Sequence, residues 1–207
     1  MSNKSHFFRQ SSGGGSESDY EFNNNLIDSI SGVDGSGTDI TYINDSIAVF
    51  NGSTSFVEIP TSPINTFTDG VNDEAFRIEL RCKVNNTNSG DTWILLKKDA
   101  YSFDYQLFKY NNAIYITLRS GSTGQMYKGC NFTPNTGDFL NITVTYDASK
   151  TLNGLNINID GSDGTLQYFS NYTGMNNLSQ KLSIGRDLTK SSGYLDGEID
   201  YLKIYKL

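Results

Sequence analysis

The chain has 207 residues, a formal net charge of −7 and only 19% charged residues. That length is enough to bury a sizeable core in one domain. The acidic balance repels phosphate backbones and anionic lipid, which sets aside nucleic acid and membrane surfaces as partners.

Residues 1–19 read as a tether. Ser11-Ser-Gly-Gly-Gly-Ser-Glu-Ser18 has the composition of a flexible linker. His6, Phe7, Phe8 and Arg9 in front of it form a small aromatic and basic anchor, the expected docking point on a partner chain. The N-terminus carries no hydrophobic signal core, so no secretory address is expected. No apolar run approaches the roughly 20 residues that span a bilayer.

The folded domain is expected over residues 20–207, opening at Tyr20-Glu-Phe22 and a loop from Asp28 to Asp39. Ile47–Phe50 and Phe56–Ile59 flank Asn51-Gly52, a strong hairpin signal. Phe76–Val84 alternates apolar residues with Arg77, Glu79, Arg81 and Lys83, the period of a half-buried strand. Strands follow at Trp93–Lys98 and Phe103–Tyr110, with Trp93 expected in the core. After the Asn111-Asn112 turn, Ala113–Arg119 points Ile114, Ile116 and Leu118 one way, and Tyr115, Thr117 and Arg119 the other. A strand at Gln125–Phe132 precedes the hairpin Asn141–Asp147 and Leu155–Asp160. That hairpin buries Ile142, Val144, Tyr146, Leu155, Ile157 and Ile159. About a dozen strands, each buried on one side, predict an all-β, two-sheet antiparallel sandwich.

Cys82 shares the phase of the apolar residues in its strand and reads as a small core residue. Cys130 follows a glycine near a strand edge, and free thiols are expected rather than the one disulfide that two cysteines allow. The closing segments are Leu182–Arg186 and Tyr194–Tyr205, around a turn-rich loop from Asp187 to Gly193. In the last strand Asp200 shares the phase of Leu202 and Ile204, so the carboxylate needs amide donors, a cation or a metal.

Four segments in order carry a resemblance: Phe50-Asn-Gly-Ser-Thr-Ser-Phe-Val-Glu-Ile-Pro60, Phe76–Val84, Asn141-Ile-Thr-Val-Thr-Tyr-Asp147 with Leu155–Gly161, and Gly185-Arg186 with Gly197-Glu-Ile-Asp200. Together they resemble the laminin-G-like, concanavalin-A-like jelly-roll domains over about Tyr20–Leu207. The resemblance implies a jelly-roll sandwich carried on a flexible N-terminal arm. It leaves the ligand open, because the superfamily holds lectins, glycanases and structural modules.

Catalysis is not expected. The single histidine, His6, lies in the arm, which removes histidine-based nucleophile activation from the folded body. The glucanase branch of the resembled superfamily carries an E-x-D-x-E strand. The nearest run here, Asp196-Gly-Glu-Ile-Asp200, sits in the closing signature instead. For sugar binding the candidates are Tyr110, Tyr115 and Arg119, and on another exposed face Asn156, Asn158 and Asp160; plain solvation of outer sheet faces accounts for the same residues. Laminin-G-like relatives often hold calcium, so Asp28 and Asp34 with Glu198 and Asp200 are the implied ligands of a Ca2+ site. The whole reads as a binding or structural module displayed on a bacteriophage virion, as a capsid decoration or a fibre component assembled in the host cytoplasm. It would dock through residues 1–19 to other virion chains, self-associate as a homo-oligomer, and touch host or mucosal glycans. The alternative is a bacterial surface or secreted carbohydrate-binding module.

Overall fold

The computed structural model describes residues 17–85, 90–132 and 137–207. His6, Phe7, Phe8 and Arg9 therefore lie outside the described residues. Sixteen strands are present among the described residues: β1 Glu17–Tyr20, β2 Ser36–Thr38, β3 Thr41–Ile43, β4 Ile47–Asn51, β5 Phe56–Ile59, β6 Phe76–Val84, β7 Thr92–Lys98 and β8 Phe103–Tyr110. They continue with β9 Ala113–Ser120, β10 Gly124–Asn131, β11 Leu140–Tyr146, β12 Leu155–Ile159, β13 Ser162–Asp163, β14 Leu166–Ser170, β15 Leu182–Ile184 and β16 Asp196–Lys206. No helix among the described residues is long and apolar enough to cross a membrane.

The strands form two antiparallel eight-stranded sheets. One runs β13-β12-β11-β6-β16-β4-β3, with β1 also on β16; the other runs β14-β10-β9-β8-β7-β15-β5-β2. The sandwich is all-β, as the alternation predicts. Its core is one cluster drawn from both sheets, including Phe50, Phe76, Leu80, Tyr105, Leu107, Ile116, Val144, Ile157 and Leu202. The hairpin β11–β12 buries all six residues expected of it. Both cysteines are free and buried, and burial pushes the Cys82 thiol up to about 12.

β16 holds the first sheet together. Along one side it pairs with β6, and along the other it pairs first with β4 and then with β1. A bulge between Ile199 and Tyr201 shifts its register. That extra residue corrects the expectation for Asp200, because the bulge resets the phase and the carboxylate leaves the core side. It accepts from Arg81 Nη1 at 2.5 Å, so of the three partners expected for it, amide donors, a cation or a metal, it has the cation.

Two further readings are corrected. β1 begins at Glu17 and pairs Glu17, Ser18 and Asp19 with Tyr205, Ile204 and Lys203, so three residues read as tether lie in the sheet. Lys203 closes on the Asp19 carboxylate at 2.6 Å. The Asn51-Gly52 turn joins no hairpin, since β4 and β5 lie in different sheets. Asn51 Oδ1 accepts the amides of Ser53, Thr54 and Ser55 at 3.0, 2.9 and 3.1 Å, and Gly52 takes φ +75°. This side-chain-capped turn carries the chain across the sandwich.

Candidate functional site: an aromatic stripe on one sheet

The outer faces of the two sheets differ in chemistry. The outer face of the β6–β16 sheet is laced with charge pairs: Arg81 with Asp200, Lys83 with Glu198 at 3.2 Å, and Arg77 with Glu79 at 3.0 Å. Such half-exposed pairs are worth little each and mark a solvated face.

The other sheet turns aromatic rings outward. In β8, β9 and β10 the residues Leu107, Ile116 and Met126 face the core, so period-two alternation sends Phe108, Tyr115 and Tyr127 to the opposite side. Trp93 of β7 is paired with Phe108, Phe108 with Tyr115, and Tyr127 with Tyr168 of β14. The rings form a continuous line across five strands. Centroid separations are 5.4 Å for Trp93–Phe108, 5.6 Å for Phe108–Tyr115, 5.6 Å for Tyr115–Tyr127 and 5.4 Å for Tyr127–Tyr168.

Gly129 sets the line's step from β9 to β10. It is the register partner of Tyr115, and a Cβ there would sit 2.5 Å from the Tyr115 ring. Without that Cβ the ring leans over β10 and meets Tyr127 edge-on at 89°. Burial raises the Tyr115 phenol above its usual value, with Tyr127 and Tyr110 adding to it, so at neutral pH it is a neutral hydrogen-bonding group.

Polar groups flank the rings. Gln106 pairs with Thr117 and Thr117 with Tyr127, so both stand beside the stripe. Arg119 packs its guanidinium 5.2 Å from the Phe103 ring and donates from Nη2 to the Ser122 carbonyl; its Nε is buried without a hydrogen-bond partner among the described residues. At the other end lies a cleft of about 280 Å³ between Asp91, Trp93, Lys190, Ser192 and Tyr194. The Lys190 ammonium sits 4.9 Å from the Trp93 ring centroid. The loop lining this cleft is held by Asp187, whose carboxylate meets Lys98 Nζ at 2.6 Å. Burial opposes ionisation of Asp187, but the bonds from Lys98 and Thr189 outweigh it and hold its pKa below the usual value.

The expected sugar-binding residues divide between the two sheets. Tyr115 lies in the stripe, Tyr110 is 46% exposed two residues beyond Phe108 on the same face, and Arg119 flanks it. Asn156, Asn158 and Asp160 belong to the opposite sheet and its last turn. Asn156 and Asn158 both donate to Asp163, at 3.0 and 2.8 Å, and Asp160 accepts from Asn141. Phe108, Tyr127 and Tyr168 were missed, and Trp93 was placed in the core. Trp93 is indeed 6% exposed, but it packs with Leu96 and Phe103 in a second cluster away from the main core. The available signal was an aromatic in the outward phase of successive strands.

The residues proposed for calcium are not gathered together. Asp28 Oδ1 accepts the amides of Asp19, Ile30 and Ser31, and its other oxygen takes the Ser31 hydroxyl. Burial works against its ionisation, but the hydrogen bonds from Ser18, Ser31, Asp19 and Ile30 win and keep its pKa low. Asp34 accepts the Asp28 amide at 3.1 Å, while Glu198 and Asp200 are engaged by Lys83 and Arg81. Among the described residues no three His, Cys, Asp or Glu side chains are placed to hold a metal ion.

No family model and no curated protein matches the sequence. Solved structures do match in fold. The binding domain of botulinum neurotoxin serotype G aligns with a TM-score of 0.69 at 18% identity, over 92% of this chain and 47% of that one. The serotype C1 binding domain gives 0.67 at 17% identity, over 93% and 49%. The binding domain of neurotoxin DC, in complex with rat synaptotagmin II, gives 0.69 at 14% identity, over 93% and 49%. At these identities the likeness shows a shared sandwich fold, and this chain spans about half the length of those binding domains.

Proposed function

We propose that this chain is a non-enzymatic recognition module that binds a cell-surface glycan along the stripe from Trp93 to Tyr168. The observation that carries the reading is the continuous line of five aromatic rings on the outer side of one sheet, in which Phe108, Tyr115, Tyr127 and Tyr168 are partly exposed and Trp93 is buried at one end. Aromatic rings present apolar area to the C–H faces of sugars, while the half-buried Gln106 and Arg119 stand beside them as hydroxyl partners. The similar neurotoxin structures support a receptor-binding role: cell entry of the type C toxin depends on two ganglioside molecules, and the DC domain binds synaptotagmin II.

The finer reading is that the module is displayed on a virion, tethered through the residues before β1. Its support is the Gly/Ser-rich segment and the His6–Arg9 anchor. The full chain is then retained on particles, and a chain starting at Glu17 is not.

The binding reading is tested on a glycan array with the full chain. Tyr115→Ala combined with Tyr127→Ala is expected to weaken binding at least tenfold, the scale of ~1.4 kcal/mol or more for well-packed interface aromatics. Gly129→Ala, which pushes the Tyr115 ring from its seat, weakens it in the same direction. Thr145→Ala on the charged sheet leaves binding unchanged. Absence of glycan binding by the wild type, or full binding by the double variant, sinks the reading.

A further inference from the structure

Both sheets end in strands whose outer edges need management, and three of the four ends are blunted by shortness. β2 and β3 have three residues each and β13 has two. β1, which pairs with β16 beside β4, is closed on its outer side, where Ser29 donates to the Asp19 carbonyl and Asp28 bridges to Tyr20. β14 is the exception. It is a regular five-residue strand, Leu-Gln-Tyr-Phe-Ser, aligned with β10 without a bulge. It contains no charge and no proline, and no backbone group along its far edge finds a backbone partner among the described residues. Tyr168 on one face is 43% exposed and Phe169 on the other is 45% exposed. An edge of this length and polarity is a template for pairing unless something covers it.

We propose that β14 pairs antiparallel with β14 of a second copy of this chain about a two-fold axis at Tyr168. The strand is self-complementary in this register: Tyr168 faces itself, Gln167 faces Phe169, and Leu166 faces Ser170. No like charges meet, because none are present, and a two-fold contact uses the same patch on both copies. The pairing merges the two β14-bearing sheets into one and brings the two Tyr168 rings together on the outer face. The aromatic stripes then run through the axis as a single line, to which each copy contributes half. The pairing rests on the edge alone; its consequence for binding rests on the glycan reading.

Two measurements on the full chain test it. Sedimentation equilibrium over a wide concentration range is expected to show a species of twice 22.9 kDa. Tyr168→Lys, which sets two ammonium groups face to face at an edge outside the core, returns a monomer that still unfolds in one cooperative transition, at a midpoint that no longer depends on protein concentration. Independently, Tyr168→Cys crosslinks to a dimer under mild oxidation, because facing residues in an antiparallel pair lie within disulfide reach, while Phe169→Cys does so far less. The native thiols are buried and do not compete. A wild type that stays monomeric, or equal crosslinking at 168 and 169, overturns the pairing. A dimer that binds no glycan keeps the pairing and rejects only the use assigned to the stripe.

Discussion

Removing the Asp104 carboxylate is expected to destabilise the protein by about 3–5 kcal/mol in denaturant unfolding, because it strands a buried ammonium. Lys97 is fully buried, with its Nζ 3.8 Å from Asp104 Oδ2, 3.1 Å from the Asn65 carbonyl and 2.6 Å from Thr66 Oγ1. Asp104 in turn accepts the Leu178 amide. In Asp104→Ala the lysine keeps two neutral acceptors and loses the one counter-charge paired with it among the described residues. Lys97→Met together with Asp104→Asn should recover most of the loss, since replacing both ions with uncharged side chains removes both charge-desolvation costs, while the carboxamide oxygen introduced at position 104 can still accept the Leu178 amide. A double variant no better than the single would show that geometry, not charge, makes the site costly.

The same pair fixes a pH signature. Burial raises Asp104 from 3.8 to about 6, against the pull of Lys97, and lowers Lys97 from 10.5 to about 8, against the pull of Asp104. Between pH 4 and 6 the folded state binds more protons at Asp104 than the unfolded chain, so this contribution to stability falls as pH rises. Between pH 8 and 10.5 the folded state binds fewer at Lys97, so the contribution rises with pH. Relative to the Lys97→Met, Asp104→Asn variant, the wild type is therefore weakest between pH 6 and 8. Paired urea titrations across pH check the shape, and a difference that does not vary with pH counts against the pair as its source.

A loss of comparable size is expected at Asp73. Its Oδ2 accepts the hydroxyls of Tyr146 and Tyr172, both at 2.7 Å, and its Oδ1 accepts the Met175 amide at 2.7 Å. One buried carboxylate thus ties the loop before β6 to β11 and to the segment after β14. Asp73→Ala leaves three buried donors without an acceptor, at about 1–3 kcal/mol each before relaxation. We expect an overall cost of ~3–5 kcal/mol by chemical denaturation. Tyr146→Phe and Tyr172→Phe each remove one donor with its bond and should cost only about 1 kcal/mol. If the two phenylalanine variants together match Asp73→Ala, the Met175 amide contributes nothing.

Strands buried on one face were legible because alternation records which side meets the core. Phe76–Val84, Ala113–Arg119 and the hairpin from Asn141 to Asp160 were readable for that reason. β14 was not, since Leu166–Ser170 lies at a sheet end with both faces in contact with water, and its side chains carry no period. Asp200 misled because alternation is blind to a bulge, which changes phase without changing composition. Asn51-Gly52 misled because turn chemistry specifies a reversal but not which sheet receives the next strand. The site was legible only in part. Tyr115 showed itself on the polar side of its strand, but its join to Phe108, Tyr127 and Tyr168 depends on strand order and on Gly129, neither of which is local.

The position of β16 has a consequence for how the protein comes into being. It lies inside its sheet and is the last of the sixteen described strands to leave the ribosome, while its partners β1, β4 and β6 all end at Val84 or earlier. Asn85, for example, waits for Asp196, 111 residues later. At roughly 5–20 residues per second, that is several seconds or more during which β6 and β4 have no strand between them. Completion of this sheet therefore waits for β16 to emerge and is governed by long-range pairing, which is slow. A nascent chain halted before Asp196 should remain open to protease throughout the β6–β11 region.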